Sequence, residues 1–459
     1  MILNYHVFMD ANISKSKIIL AIISLVITFL VWQQGLRESL DRPSVSFDIT
    51  QKENEITELA LPAIPQDLRK FFVLNDPGEN IRQALSKSSF DELSDRNKLI
   101  WLVGINKNED INLEYYDKFT LKKFKVAADN LRKNNLDSSY IASSNFLKDY
   151  KFDKYINHIL INKFHFEEKN NEIKFTARKM FLKIIIIKLI PLLSIFLGSA
   201  LVLKFIWKIF NQKKIIWSQY IPLELNLLDM VLLISGGFVV LGEVFSPLIS
   251  ISLVDTFSKG LNTEISQSLK IIFGYLSMSI PPLYILYRQI KFIDKDFTFK
   301  KDYFQFNYKP IKEAFVNGFK GWLMIIPFVL LTSLIMNFFI NNDKGSNPLL
   351  EIVLNNNNYF ALIVLFITTT VVAPFFEEVI FRGVLLPILA RDLGVYVGII
   401  LSSFVFALAH LSFGELPPLF VLGIGLAMTR LISGRLLSSI IMHSLWNGLT
   451  FLNLFLLRT

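Results

Sequence analysis

Two adjacent glutamates and an arginine, Glu377, Glu378 and Arg382, lie in the otherwise apolar stretch "PFFEEVIFRG". An ionisable side chain at the centre of a membrane-spanning helix costs ~2.5–3.5 kcal/mol on insertion scales, so the three need partners or a function. On a helix Glu378 and Arg382 are i and i+4 with the acid on the N-terminal side, the favoured order for a pair. Glu377 lies about 100° further round at 3.6 residues per turn, so it is left without that partner. The chain has five histidines, and the two in its second half, His410 and His443, also sit in apolar runs. His443 and Asn447 are again i and i+4, projecting from one helix face. A carboxylate and imidazoles inside a bilayer could activate water for hydrolysis, ligate a catalytic metal or relay protons in transport. A buried network that only fixes helix packing is the plainer use of the same groups.

Depth decides whether these groups can meet. The connection "RDLG", Arg391 to Gly394, makes a helical hairpin. Asp392 back to Glu377 is 15 residues and Gly394 forward to His410 is 16, and at 1.5 Å per residue these are matching depths of roughly 22–24 Å. Glu377 and His410 are therefore expected to meet across the hairpin. His443 is only eight residues past Arg435, which leaves it about 10 Å short of Glu377 on the same count. Pro374, Pro387, Pro417 and Pro418 mark places where tilted or broken helices could absorb that gap.

These groups need a membrane frame, and the composition points to one. The 459 residues are 52% hydrophobic and 14% aromatic, with a positive mean hydropathy, which suits a polytopic membrane protein better than several soluble domains. The net charge of +9 sits in short clusters beside apolar runs, as topology signals do, so no nucleic-acid partner is expected. The absence of cysteine excludes disulfides, thiolate metal sites and a cysteine nucleophile.

Apolar runs at Ile18 to Trp32 and near 184–203, 230–254, 271–287, 322–340, 359–376, 395–411, 417–432 and 438–457 are mostly close to the ~20 residues that span hydrocarbon. The fold class expected is an all-α polytopic membrane protein of about nine transmembrane helices. Residues 1–36 read as an anchor, since no small-residue cleavage site follows the first run. Residues 37–183 are polar and mixed, and read as a mostly helical soluble domain between the first two spans. There His158 and His165 lack metal-ligand companions, and "HFEE" at 165–168 reads as solvated surface. Residues 184–320 hold three spans and a basic, aromatic connection near 292–320 that suits a membrane interface. Lys15, Lys17, Lys204, Lys208, Lys213, Lys214, Arg288, Lys291, Lys295, Lys300, Lys301, Arg391, Arg430 and Arg435 fall on one side under strict alternation. That side is expected to be cytoplasmic, of a bacterial plasma membrane or another internal membrane, with 37–183 extracytoplasmic.

Glu377-Glu378-x-x-x-Arg382, Phe406-x-x-x-His410 and His443-x-x-x-Asn447, in that order and each in an apolar run, resemble the three motifs of the CPBP intramembrane proteases. This Abi-like family is named for CAAX prenyl proteases and bacteriocin-processing proteins. The resemblance covers roughly residues 320–457 and marks 321–459 as a CPBP-like core. It implies an endopeptidase that cuts a membrane-associated peptide or protein substrate within the lipid bilayer. Glu377 is the expected general base, with His410 holding the same water and later protonating the leaving amine. Glu378 with Arg382 would hold that helix in position, and by resemblance His443 and Asn447 would form the oxyanion hole. A second route uses His410, His443 and a carboxylate, from Glu377 or Glu378, as ligands of Zn2+ or another divalent ion. The family is named among metalloproteases, yet no HExxH signature is present. A non-proteolytic scaffold of the same fold and a proton-coupled transporter are the alternatives; the transporter predicts repeated halves, and none is found. Phe406 is expected to pack, Asp229 and Glu243 to pair helices, and Gly423, Gly425 and Gly434 to let helices approach closely.

Overall fold

The computed structural model describes residues 14–42, 45–104, 113–136, 152–164, 170–212, 215–218, 220, 222–294, 302–307, 309–339 and 347–458. No strand occurs among them, in keeping with the all-α class expected. In chain order the helices are α1 (Lys15–Asp41), α2 (Ser46–Ala60), α3 (Gln66–Phe72), α4 (Pro77–Leu85), α5 (Asp95–Gly104), α6 (Lys122–Leu136), α7 (Lys154–Phe164) and α8 (Asn170–Gln212). They continue with α9 (Leu227–Phe257), α10 (Thr263–Ile293), α11 (Ile311–Phe339), α12 (Pro348–Asn355), α13 (Tyr359–Leu393), α14 (Val395–Leu408), α15 (Leu416–Ser433) and α16 (Leu436–Leu456). They form two compact units, Val45–Leu192 with Asn453–Thr459, and Met1–Ser44 with Leu193–Leu452.

The unit built on Val45–Leu192 is a cluster of short amphipathic helices around Ile56, Leu59, Ile81, Leu99, Leu131 and Ile156, all buried. Side-chain caps set its helix starts: Asp76 accepts from the Glu79 amide with Pro77 at the first helical position of α4, and Asp95 accepts from the amides of Thr120 and Leu121. Both satisfy donors that a helix end or turn leaves open. Glu55, fully buried, receives two hydrogen bonds of 2.7 Å from Arg96, which also reaches Asp153 at 2.8 Å. Burial alone would raise the Asp153 carboxyl, but the Arg96 charge and hydrogen bonds outweigh it and hold the group below its ordinary range. Glu58 goes the other way, since burial lifts it even though Tyr155 donates to it. His158 contacts only the side chain of Asn162, at 3.1 Å, among the hydrogen bonds seen for it; His165 and the "HFEE" stretch lie outside the described residues.

Eight helices among the described residues are long and apolar enough to cross a membrane: α1, Ile173–Gln212 within α8, α9, α10, Ile311–Met336 within α11, α13, α15 and α16. The remaining apolar run, 395–411, is shorter than expected, because α14 ends at Leu408 after 14 residues. At 1.5 Å per residue that is about 21 Å, against roughly 30 Å of hydrocarbon. The chain then turns through Leu411, which has a left-handed φ of 49°.

In the second unit, close packing comes from small residues. A Cβ on Gly423 would meet the Cβ of Ser403 on α14 at 2.9 Å, and one on Gly425 would meet Ile325 on α11 at 2.7 Å. Those separations are inside normal carbon contact, so larger side chains would push α15 off both neighbours. Asp229 and Glu243 tie helices together as expected, with Lys17 on α1 at 2.5 Å from Asp229 and the Trp32 indole donating to Glu243 at 3.3 Å. The hairpin turn predicted at Arg391 to Gly394 is present between α13 and α14, with Gly394 at φ 89°. Only glycine takes that conformation without strain.

Candidate active site

α13 positions the two glutamates, and it is not a uniform α-helix. Thr368–Val372 and Val379–Leu385 are π-helical, with Glu377 and Glu378 at the end of the α-helical turn between them. A π turn carries an extra residue and loosens the regular backbone ladder, which is why such turns collect at functional sites. Here the first one leaves the Thr369 carbonyl free to accept the Asn447 amide at 2.9 Å.

Glu378 and Arg382 pair as their spacing predicts, at 3.0 Å and with both side chains at 0% exposure. The arginine also donates to the Gly423 carbonyl at 3.3 Å, and its guanidinium lies 4.1 Å from the Phe406 ring centroid. Glu378 does more than hold Arg382. Its Oε1 accepts from His443 Nδ1 at 3.0 Å and its Oε2 accepts from the Ser439 hydroxyl. Every oxygen of this buried carboxylate therefore has a donor, as a charge without water requires.

Glu377 lies on another side of the helix, as its angular offset implied, and it meets His410 across the hairpin with Oε2 at 3.9 Å from Nε2. His443 corrects the depth count. Instead of falling short, its Nε2 is also 3.9 Å from Glu377 Oε2. The count assumed that the Arg435 connection lies at the surface, like the exposed Arg391–Gly394 turn. It does not: Gly434 and Leu436 are buried, Asn307 donates to the Gly434 carbonyl at 2.8 Å, and Arg435 donates to the carbonyls of Asn307 and Lys309. Asn307 and Lys309 are thus bonded across that turn, and His443 reaches the glutamates.

His410 is not on the helical face that the FxxxH spacing suggests. It follows the end of α14, where the last carbonyls lack helical donors, and its Nδ1–H caps the Phe406 carbonyl at 2.8 Å. Its neighbour Leu411 is fastened to α1, since Arg42 donates to the Leu411 carbonyl at 2.6 Å and the Ser39 hydroxyl receives the Phe413 amide at 3.0 Å. Phe406 is packing, as expected, and central packing: its ring sits edge-on to His410 at 4.7 Å, His443 at 5.7 Å and Phe381 at 5.5 Å.

The arrangement makes the two imidazoles equivalent in one respect. A carbonyl and a carboxylate can only accept here, so each ring carries its proton on Nδ1 and turns Nε2 toward Glu377. Glu377 Oε2 is buried and has no hydrogen-bond partner. Three acceptor atoms thus face one spot, a place for a donor such as water. Among the described residues no group of three His, Asp, Glu or Cys is gathered closely enough to count as a metal site, so the metal route gains no support here.

Two contacts were not anticipated from sequence. Ser439 precedes His443 by one helical turn, so it falls on the same face, and that spacing was a usable signal. Tyr275, on α10, donates to Glu377 Oε1 at 2.5 Å. Its only local signal is a hydroxyl in mid-run, away from the interfacial positions that tyrosine prefers in membrane helices.

The Glu378 network gives a direct expectation. Arg382→Ala strands a wholly buried carboxylate and should remove about 3–5 kcal/mol of stability. Arg382→Lys, which keeps the charge but cannot reach Glu378 and the Gly423 carbonyl together, should be intermediate. Folded yield and thermal midpoint of the detergent-purified protein check both, and a wild-type midpoint for Arg382→Ala would show that the pair is not holding α13.

Comparison with known proteins bears on this site and on the other unit. Residues 359–449 match the family model described as type II CAAX prenyl endopeptidase Rce1-like, a narrower stretch than 320–457 and one that contains all seven motif residues. Residues 46–182 match a domain of unknown function, DUF8675. No curated protein and no solved structure matches the chain. The motif residues around Glu377 and Glu378 thus lie in a stretch similar to an Rce1-like type II CAAX prenyl endopeptidase domain, in the C-terminal part of an integral membrane protein.

Proposed function

We propose that the chain is an intramembrane endopeptidase in which Glu377 activates water to cut a membrane-associated substrate. The observation that carries this reading is the buried, partnerless Oε2 of Glu377, 3.9 Å from two imidazole Nε2 atoms. A water placed there donates one proton to Glu377 and is held by His410. Its oxygen attacks the scissile carbonyl carbon, and the proton it loses goes to Glu377. The carbonyl oxygen becomes an oxyanion that needs donors. Asn447 spends one amide proton on Thr369 and keeps a second; His443, with its Nδ1 proton committed to Glu378, donates when Nε2 is also protonated. The C–N bond then breaks, and the proton passes by way of His410 to the leaving amine. Glu378 and Arg382 take no proton; they fix α13 and, through Glu378, orient His443.

No step is drawn through a metal, because the donor set is not gathered as a metal site. The family's description makes a CAAX prenyl peptide one substrate to try. We further place the basic connections in the cytoplasm of a bacterial plasma membrane, with 37–183 on the opposite side, on the distribution of lysine and arginine.

Three measurements test these readings. Comparison of the membrane proteomes of wild type and Glu377→Gln should show at least one polypeptide that persists uncut in the variant, with the variant inserted and folded. If no polypeptide differs, the scaffold reading takes its place. Chelation of the purified protein should leave cleavage of that polypeptide within about twofold, whereas a metal-water mechanism predicts loss and recovery on adding Zn2+. Since the chain has no cysteine, single cysteines report sidedness cleanly: one replacing exposed Lys87 should react with impermeant maleimide on intact cells, and one replacing exposed Leu393 should react only after lysis. The reverse pattern inverts the topology.

A further inference from the structure

We propose that Tyr275 is a positioning residue of the active site: its hydroxyl holds Oε1 of Glu377 and thereby fixes Oε2 as the oxygen offered to the water. This rests on the reading of Glu377 as general base, and it places part of the machinery outside the matched domain, on α10.

The two oxygens of the Glu377 carboxylate are chemically equivalent, and its terminal torsion is broad and nearly two-fold, so a free carboxylate presents either oxygen. The surroundings of Glu377 are not symmetric. Oε1 receives the Tyr275 hydroxyl at 2.5 Å, while Oε2 has no hydrogen-bond partner and faces both imidazoles. Among the hydrogen bonds seen, no donor from residues 359–449 reaches Oε1, so the asymmetry comes from α10.

The phenol is a rigid arm. Tyr275 packs edge-on against Phe376 at 6.1 Å, and Phe376 stacks on Phe238 of α9 at 5.9 Å. Phe238 in turn meets Phe381 edge-on at 5.8 Å. This row of rings links α9, α10 and both sides of the glutamate turn, and holds the hydroxyl at one place with few torsions to freeze. Phe376 is the residue just before Glu377, so the same contact sets the backbone and the side chain. Glu243, an acid on α9, accepts from Trp32 rather than from this hydroxyl.

A tyrosine that only satisfies its own hydroxyl would make the same bond, so the test must separate stability from turnover. The full chain in lipid nanodiscs serves, with the polypeptide that persists in Glu377→Gln membranes as substrate. Tyr275→Phe should lower kcat by about 10- to 100-fold through misorientation of the reacting group, with KM unchanged within about twofold, since substrate contacts remain. In parallel, the infrared carboxylate band that disappears in Glu377→Gln should shift in Tyr275→Phe. A variant with wild-type kcat, or one whose loss is fully accounted for by less folded protein, overturns the proposal. Should Tyr275→Phe fail to fold, 3,5-difluorotyrosine at 275 keeps the shape and strengthens the donor, and an unmoved band there overturns it equally. If the wild type cleaves nothing, the protease reading fails by itself; the band still decides whether Tyr275 holds Glu377.

Discussion

The membrane unit depends on one constraint: two full charges, Glu378 and Arg382, sit where no water reaches them. Dehydrating each costs several kcal/mol, and their mutual attraction offsets this only if the remaining lone pairs and protons are also used. The structure meets most of that condition by drawing in other elements, and Nε of Arg382 is the atom of the pair left without a hydrogen-bond partner. Arg382 takes a carbonyl from α15 and the face of Phe406 from α14, and Glu378 takes Ser439 and His443 from α16. Three helices are thereby registered against one turn of α13. The pairing is structural, but its by-product is chemical, because satisfying Glu378 is what points the far nitrogen of His443 at Glu377.

Glu377 is the counterpart, a carboxylate left incomplete on one side. It has a donor on Oε1 and none on Oε2, an asymmetry that an inert packing residue would not be expected to keep in a low-dielectric interior. Each imidazole at Oε2 reaches it by a departure from regular helix: His410 lies beyond a helix that stops early, and His443 rises from a turn tied to Asn307, while Asn447 bonds to the π turn that precedes Glu377. Each departure also has its own fastening, from Arg42 and Ser39 of α1 at the His410 turn to Arg435 below α16. Elements well outside 359–449 therefore hold the site together.

Much of this was legible in the chain. The all-α membrane class follows from composition and run length, and the Glu378–Arg382 pair and the Glu377–His410 meeting follow from spacing on helices near ideal geometry. These are local or nearly local relations, one within a helix and one across a four-residue turn, so small errors in rise do not accumulate. The counts that failed were those that passed through irregular backbone. The run at 395–411 forms a helix of only 14 residues, and the depth of His443 was misjudged because a buried turn reads in sequence like an exposed one.

Sequence by itself determined which groups are available: three ordered motifs of acid, base and amide, no thiol, and a membrane to hold them. Tertiary structure alone decided which oxygen of which glutamate is free, that Phe406 is the ring against which Arg382, His410 and His443 all rest, and that Tyr275 from a distant helix completes Glu377. The reason is physical. Pairing at i and i+4 is set by helix geometry that any local stretch carries, whereas a side chain's last hydrogen bond depends on which helices the bilayer and the small residues of α15 allow to touch, and no local spacing encodes that.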